Sequence, residues 1–372
     1  MNDGGVAAEL LFGAGRVSAE EWDACAGPGD VFVSHGLFLL LEECGAASGR
    51  SGWLPLHLAV RDGCCAVRPR GRLAAVVPLY VKSHSQGEFV QDRDWAAAYD
   101  RAGLRYYPKL QIAVPFFSIT GRRLLLRPDA DPRVLPVLVS TLEQVARHQK
   151  VSSIHATFCL ENEWRALGET GWLQRLGLHC RWQNRGYLCL DDFLASLTEG
   201  ARRALDDQRA ALSDSGMSLR TLVGSEISSD HWDEYYRHSV ATAKRDSGFL
   251  ALNREFFHRL AALMGERAVL VTDGPDSVLY LIGGTTLYGR TWGGERAICS
   301  PYGAAFTLCA IDFAISRGLA WFDPGVSCDS LLQESFQPVL TYSAHWVRKC
   351  GVREVLAEHL EKERALMAHL LD

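Results

Sequence analysis

Short apolar runs bounded by Gly, Asp and Pro alternate along this chain with longer stretches of helical periodicity. This is the grammar of a mixed α/β (α+β) protein. Leu56–Val60 and Leu73–Val81 predict strands, with Asp62-Gly63 a turn dipeptide between them. Trp95–Arg101 predicts a helix stopped by Gly103, Tyr106–Val114 a strand, Pro132–Gln149 an amphipathic helix and Ser153–Phe158 a strand. In the second half Ala268–Thr272, Ser277–Gly283 and Thr285–Thr291 predict strands. Ala304–Arg317 reads as a helix ended by Gly318, and Ala320–Asp323 as a short strand. Between the halves lie predicted helices at Asp192–Ser213 and Ser229–Lys244. Val352–Leu371 carries an apolar stripe that predicts a helix packing back on the body. Short helices are expected at Ser18–Cys25 and Phe38–Glu43, within and just after a Gly- and Ala-rich stretch, 1–30, expected to be loosely ordered.

The two halves repeat one pattern. Arg101-Ala102-Gly103-Leu104-Arg105-Tyr106-Tyr107-Pro108 and Ser316-Arg317-Gly318-Leu319-Ala320-Trp321-Phe322-Asp323-Pro324 each run from a helix through a glycine cap to an aromatic pair and proline. The match favours an internal duplication. The expected organisation is a domain over 31–180, a second over 181–350 and a terminal helix over 351–372.

Composition narrows the function. With 372 residues, 48% hydrophobic and 22% charged, the chain can build full cores. Its net charge of -5 argues against a surface given over to nucleic acid. The first residues lack the basic start of a signal peptide, and no run is long enough to span a membrane, so the expected location is the cytoplasm. The 11 cysteines form no Cys-x-x-Cys pair, so they read as free thiols rather than a metal site. Cys328 stands apart in a polar loop.

The densest chemistry lies between Val81 and Phe117. Here His84, Glu88, Asp92, Asp94 and Trp95 are interleaved between apolar runs, ahead of Tyr107 and Lys109. A carboxylate in such a segment can hold an ammonium and take its proton, which makes Glu88, Asp92 and His84 the acid–base candidates. Ser83, Trp95, Tyr107 and Lys109 are candidate substrate contacts. A second cluster places Tyr288, Arg290 and Trp292 on one face of a strand that runs into Gly293-Gly294, suited to a flat or anionic ligand. A third runs from Asp323, at a strand's C-terminal end, to Tyr342 and His345. No nucleophile elbow, P-loop, dinucleotide fingerprint or zinc-protease motif occurs. The Gln/Arg-x-x-Gly-x-Gly/Ala loop that grips acetyl-CoA is also missing.

The strings LYVKSHSQGEFVQDRDWAAAYDRAGLRYYPKLQIAVPF, NRGY with DDFLASL, TLYGRTWG and TYSAHW resemble the Fem-like peptidoglycan biosynthesis/recognition family of the acetyltransferase-like (GNAT) superfamily. The resemblance runs from about Ser34 to the C-terminus. It implies two tandem acetyltransferase-like domains around a central cleft. It also implies transfer of an amino acid from aminoacyl-tRNA to an amine, on a cell-wall precursor or a small antibiotic-type metabolite. No metal or other cofactor is then required; acyl-CoA is the alternative donor, and a non-catalytic binding protein the alternative class. Two departures stand out. Gly325-Val326-Ser327-Cys328-Asp329-Ser330-Leu331 replaces a Gly-x-Gln-Gly-Glu-His-Lys pattern. The helix after NRGY interleaves Arg202, Arg203 and Arg209 with Asp206 and Asp207, where a basic stripe would grip a tRNA backbone.

Overall fold

A computed structural model describes residues 5–64, 71–89, 92–214, 218–246, 250, 252–294, 301–325, 332–348 and 350–371. The chain forms two compact units, Met1–Gly177 with Leu340–Asp372, and Leu178–Val339.

The first unit holds two sheets. In one, Gly5–Leu11, His57–Cys64, Arg72–Val77 and Leu125–Leu126 lie in that order, all antiparallel. In the other, Trp53–Pro55 pairs with Leu79–Lys82, which pairs antiparallel with Lys109–Ile112. Lys109–Ile112 then runs parallel to Ser153–Cys159, and the return is made through the helix Val134–His148. Such a crossover is what a parallel pair demands. Leu138 and Leu142 of that helix join Val77, Leu110, Ile154 and Ala156 in one apolar core. The C-terminal helix, Cys350–Leu371, lays Val352, Leu356 and Leu360 on Trp95 and Tyr99, so it packs back as its apolar stripe requires.

The second unit repeats the scheme. Arg220–Val223, Ala268–Thr272, Asp276–Gly283 and Thr286–Gly294 form an antiparallel meander. Thr286–Gly294 then runs parallel to Trp321–Asp323, with the helix Pro301–Ser316 between them. The last residues of Leu173–Gln183 close this sheet antiparallel to Trp321–Asp323. The same succession of antiparallel strands, helix crossover and antiparallel closing strand appears in both units.

Several expected elements differ. The 73–81 strand breaks at Pro78, which offers no N–H, and its two pieces enter different sheets. Asp62-Gly63 lies within the strand His57–Cys64, where Gly63 adopts φ +67° beside an irregular register. The 192–213 helix is two, Leu190–Ala195 and Glu199–Asp214. Ser196 Oγ donates back to Phe193 O, and Thr198 Oγ accepts from Ala201 N to start the second. Residues 5–30 are not loose. They form a paired strand and the helix Ala19–Ala26, whose Trp22 is wholly buried and donates to Val33 O. The strand Phe336–Val347 is long and polar enough to escape the apolar pattern.

A buried acid–base cluster and a second carboxylate

Lys82 ends the strand Leu79–Lys82, Lys109 begins the strand Lys109–Ile112, and the two are direct register partners. Two ammonium groups opposite one another repel. The loop after Lys82 brings carboxylates to them. Its course depends on two glycines. Gly52 has φ +70°, and a Cβ there would meet His84 Nε2 at 2.3 Å; Gly87 has φ +78°, and its Cβ would meet the Phe116 ring at 2.6 Å. Trp53 Nε1 donates to Gln86 O, and Phe116 N to Gly87 O.

Lys109 Nζ donates to Glu88 Oε2 at 2.6 Å, to Ser85 Oγ at 3.1 Å and to Asp92 Oδ2. Asp92 Oδ2 also accepts from Ser85 Oγ at 2.6 Å and from Tyr106 OH at 2.8 Å. Ser85 has one proton, given to Asp92, so Tyr107 OH donates to Ser85 Oγ at 2.6 Å. Tyr106 likewise gives its proton to Asp92, so His155 Nε2 is the protonated nitrogen, shared between Tyr106 at 3.2 Å and Ser153 Oγ at 2.7 Å. His155 Nδ1 must then accept from His345 Nδ1–H at 2.7 Å, leaving His345 Nε2 to accept from Ser343 Oγ. Both imidazoles are neutral, and burial pushes both well below the ordinary histidine range. Trp95 packs on both rings.

The cluster has two layers. Glu88 (4% exposed), Asp92 (6%), Lys82, Lys109, Tyr106, Trp95, His155 and His345 are buried. Ser85, His84 and Tyr107 are half-buried, and Ser83 is exposed. The two carboxylates differ. Burial raises Glu88, more than Lys109 and Lys82 lower it. Burial also acts to raise Asp92, but Lys109, Ser85 and Tyr106 together hold it below the usual range. Burial, with the neighbouring Lys82, lowers His84. Burial keeps Tyr107 protonated above its usual range.

In the second unit Tyr288 is the register partner of Asp323. Asp323 Oδ2 accepts from Arg181 Nε at 2.8 Å and lies 3.8 Å from His179 Nδ1; Oδ1 accepts from Gly325 N at 2.9 Å. Burial works to raise its carboxyl, yet His179 and Arg181 hold it low. The Arg181 guanidinium lies 5.9 Å from the half-buried Tyr288 ring. The side chains of Arg290 and Trp292 and the whole of 326–331, with Cys328, lie outside the described residues. Tyr342, in the first unit, packs on Trp164, away from the histidines its neighbour His345 joins. Among the described residues no three His, Cys, Asp or Glu side chains gather as a metal site, and no helix is long and apolar enough to cross a membrane.

Lys82 and Ser85 lay inside the conspicuous 81–117 segment without an assigned role, and Tyr106, His155, His179 and Arg181 escaped the sequence reading as site residues. Lys82 ends an apolar strand and His155 lies between Ser153 and Thr157 on a buried one, a signal shared with any satisfied core group. His179 and Arg181 alternate on a strand too polar to be recognised as one.

This architecture is similar to that of solved structures. The C-terminal domain of a putative lysylphosphatidylglycerol synthetase from Agrobacterium fabrum superposes with a TM-score of 0.51 at 10% identity, covering 92% of this chain and 95% of that one. FemX superposes with a TM-score of 0.50 at 11% identity, covering 94% of this chain and all of that one. The fold is therefore the tandem acetyltransferase-like α/β fold that the sequence predicts. The FemAB-like family, described as peptidoglycan biosynthesis/recognition, matches residues 14–372, and the chain belongs to that family. A search of curated proteins finds no match.

Proposed function

We propose that the protein is an aminoacyltransferase that moves an amino acid from aminoacyl-tRNA to an amine, on a cell-wall precursor or a small metabolite. The observation that carries this reading is the layered cluster, in which half-buried hydroxyls lead to two buried carboxylates of unequal proton affinity. Family membership supports the same reaction class. The ester donor is already activated, so the protein must hold the amine, move its proton and steady the oxyanion, with no bound cofactor. A charged-tRNA donor would place it in the cytoplasm.

In this reading the amine nitrogen attacks the ester carbonyl. The C–N bond forms, and the C–O bond to the ribose breaks. The N–H proton passes to Tyr107 as Tyr107 gives its own to Ser85 and Ser85 to Asp92. Lys109, bonded to both carboxylates, couples Asp92 to Glu88, whose higher proton affinity makes it the resting place. The same path returns a proton to the departing ribose oxygen. Ser83 and His84 border the amine; Trp95 and His345 support the cluster from beneath. Tyr288, with Arg290 and Trp292, contacts the acyl group or the acceptor. Asp323, already bonded on both oxygens, holds Arg181 in place beside Tyr288.

The test is amide formation by the purified protein from a radiolabelled mixture of aminoacyl-tRNAs with a panel of amines. RNase-sensitive product is expected. RNA-independent product from acyl-CoA would instead assign an acyl-CoA-dependent acyltransferase. Ligand binding without either product would assign a non-catalytic paralogue.

A further inference from the structure

Lys109 and Lys82 are register partners, yet their surroundings differ. Lys109 places its three N–H bonds on Ser85, Glu88 and Asp92, as a full ammonium would. Among the described residues Lys82 makes one hydrogen bond, to Gln86 O at 3.1 Å, and lies 3.8 Å from the centre of the Trp53 ring. Its nearest carboxylate oxygen, Glu88 Oε1, is 3.7 Å away, and that oxygen accepts no hydrogen bond among the described residues. The charged or titratable groups facing Lys82 are Glu88, Lys109, Asp92 and the adjacent His84. Asp92 and Lys109 cancel. A neutral buried site then leaves one proton for Lys82 and Glu88 together, as ammonium with carboxylate or as amine with carboxylic acid. The Trp53 face favours the first form. Burial favours the second, bringing Lys82 down to about 7 and raising Glu88.

We propose that Lys82 and Glu88 hold one shared proton, and that Lys82 is the positioning residue that sets when Glu88 can take a proton from substrate. Loss of the shared proton leaves Glu88 as a carboxylate facing a neutral amine, which is the stronger base. A permanent cation at position 82 would hold Glu88 as a weak one. The role in turnover rests on the transfer reaction proposed above; the shared proton does not.

The experiment is a lysine side-chain NMR titration of the full chain, with Lys82 assigned by its loss in Lys82→Arg, or in Lys82→Met if the arginine variant does not fold. Lys82 is expected to titrate near neutrality, and lower still in Glu88→Gln, because the Glu88 charge favours its ammonium. A midpoint in the ordinary lysine range, about 10, unmoved by Glu88→Gln, would overturn the proposal. In the transfer assay the wild-type rate should rise with pH through neutrality. Lys82→Arg should lose that inflection and run ~10-fold or more slower on its alkaline side. An unchanged inflection would also overturn it. The titration needs no substrate. Inactivity towards every donor would therefore sink the transfer reading while the Lys82 midpoint still decides the shared proton.

Discussion

Two buried carboxylates, Glu88 in the first unit and Asp323 in the second, both stand out as candidates in the sequence, and their surroundings set them apart. Asp323 has each oxygen bonded, to Arg181 and to the Gly325 N–H, and its carboxyl is held low. Glu88 has one oxygen on Lys109 and one that accepts no hydrogen bond among the described residues, and its carboxyl is raised. A saturated carboxylate fixes backbone and neighbouring side chains; a buried one with a spare oxygen is poised to take a proton. Glu163 shows that a raised carboxyl alone does not mark a proton acceptor: burial raises it too, although both its oxygens are bonded. It is buried and accepts from the backbone N–H groups of Arg123, Leu124 and Leu160, a structural clasp with no spare lone pair directed at a ligand.

The sharpest way to break this contrast is Lys109→Met. It leaves Glu88 and Asp92 buried side by side without their common cation, and should cost about 3–5 kcal/mol in denaturant unfolding. A loss below ~1 kcal/mol would mean that the carboxylates are not held as charges.

The histidine pair tests the layer beneath. Both imidazoles lie well below their unfolded value, so between the two the unfolded chain binds more protons. Their contribution to stability is complete above the ordinary histidine pKa of about 6.5 and is lost as pH falls below it. About one pH unit lower, the pair should account for ~2–3 kcal/mol, and His155→Gln should flatten that slope. A slope unchanged in the variant would refute neutral burial.

Asp323→Asn keeps an acceptor for Gly325 N but removes the charge beside Arg181. A loss of about 1–2 kcal/mol is expected, with the pH profile of transfer unmoved. A shifted profile would give Asp323 the role assigned to Glu88. The smallest effect concerns Phe89, next to Glu88. It is 45% exposed and adopts φ +56°, a left-handed conformation unfavourable for an aromatic residue. Phe89→Gly should raise the melting midpoint slightly, by the equivalent of under ~1 kcal/mol. A fall would show that the ring's contacts outweigh the backbone strain.

Much of the fold was legible because helices and apolar strands carry their period in the sequence. The helix Val134–His148 and the strand Ala268–Thr272 lie within about a turn, or directly on, the predicted spans. What was hidden depended on pairing. Pro78 marks a break, but only the sheets show that its two sides part company. The polar strand Leu173–Gln183 is held as a strand by pairing, its last residues with Trp321–Asp323, and not by its own pattern. The site was legible as a segment and not as a network. Ionisable residues between apolar runs drew attention to 81–117, whereas the facing of Lys82 and Lys109 is a fact of register. The His155–His345 contact joins residues 190 positions apart.

If Glu88 is the proton acceptor of the proposed transfer, its loss must show in the single-turnover rate of Glu88→Gln with a saturating aminoacyl-tRNA and amine. The variant is expected to fold, bind both substrates and form amide ~100-fold or more slowly than wild type. A folded Glu88→Gln variant that forms amide at the wild-type rate would contradict that role.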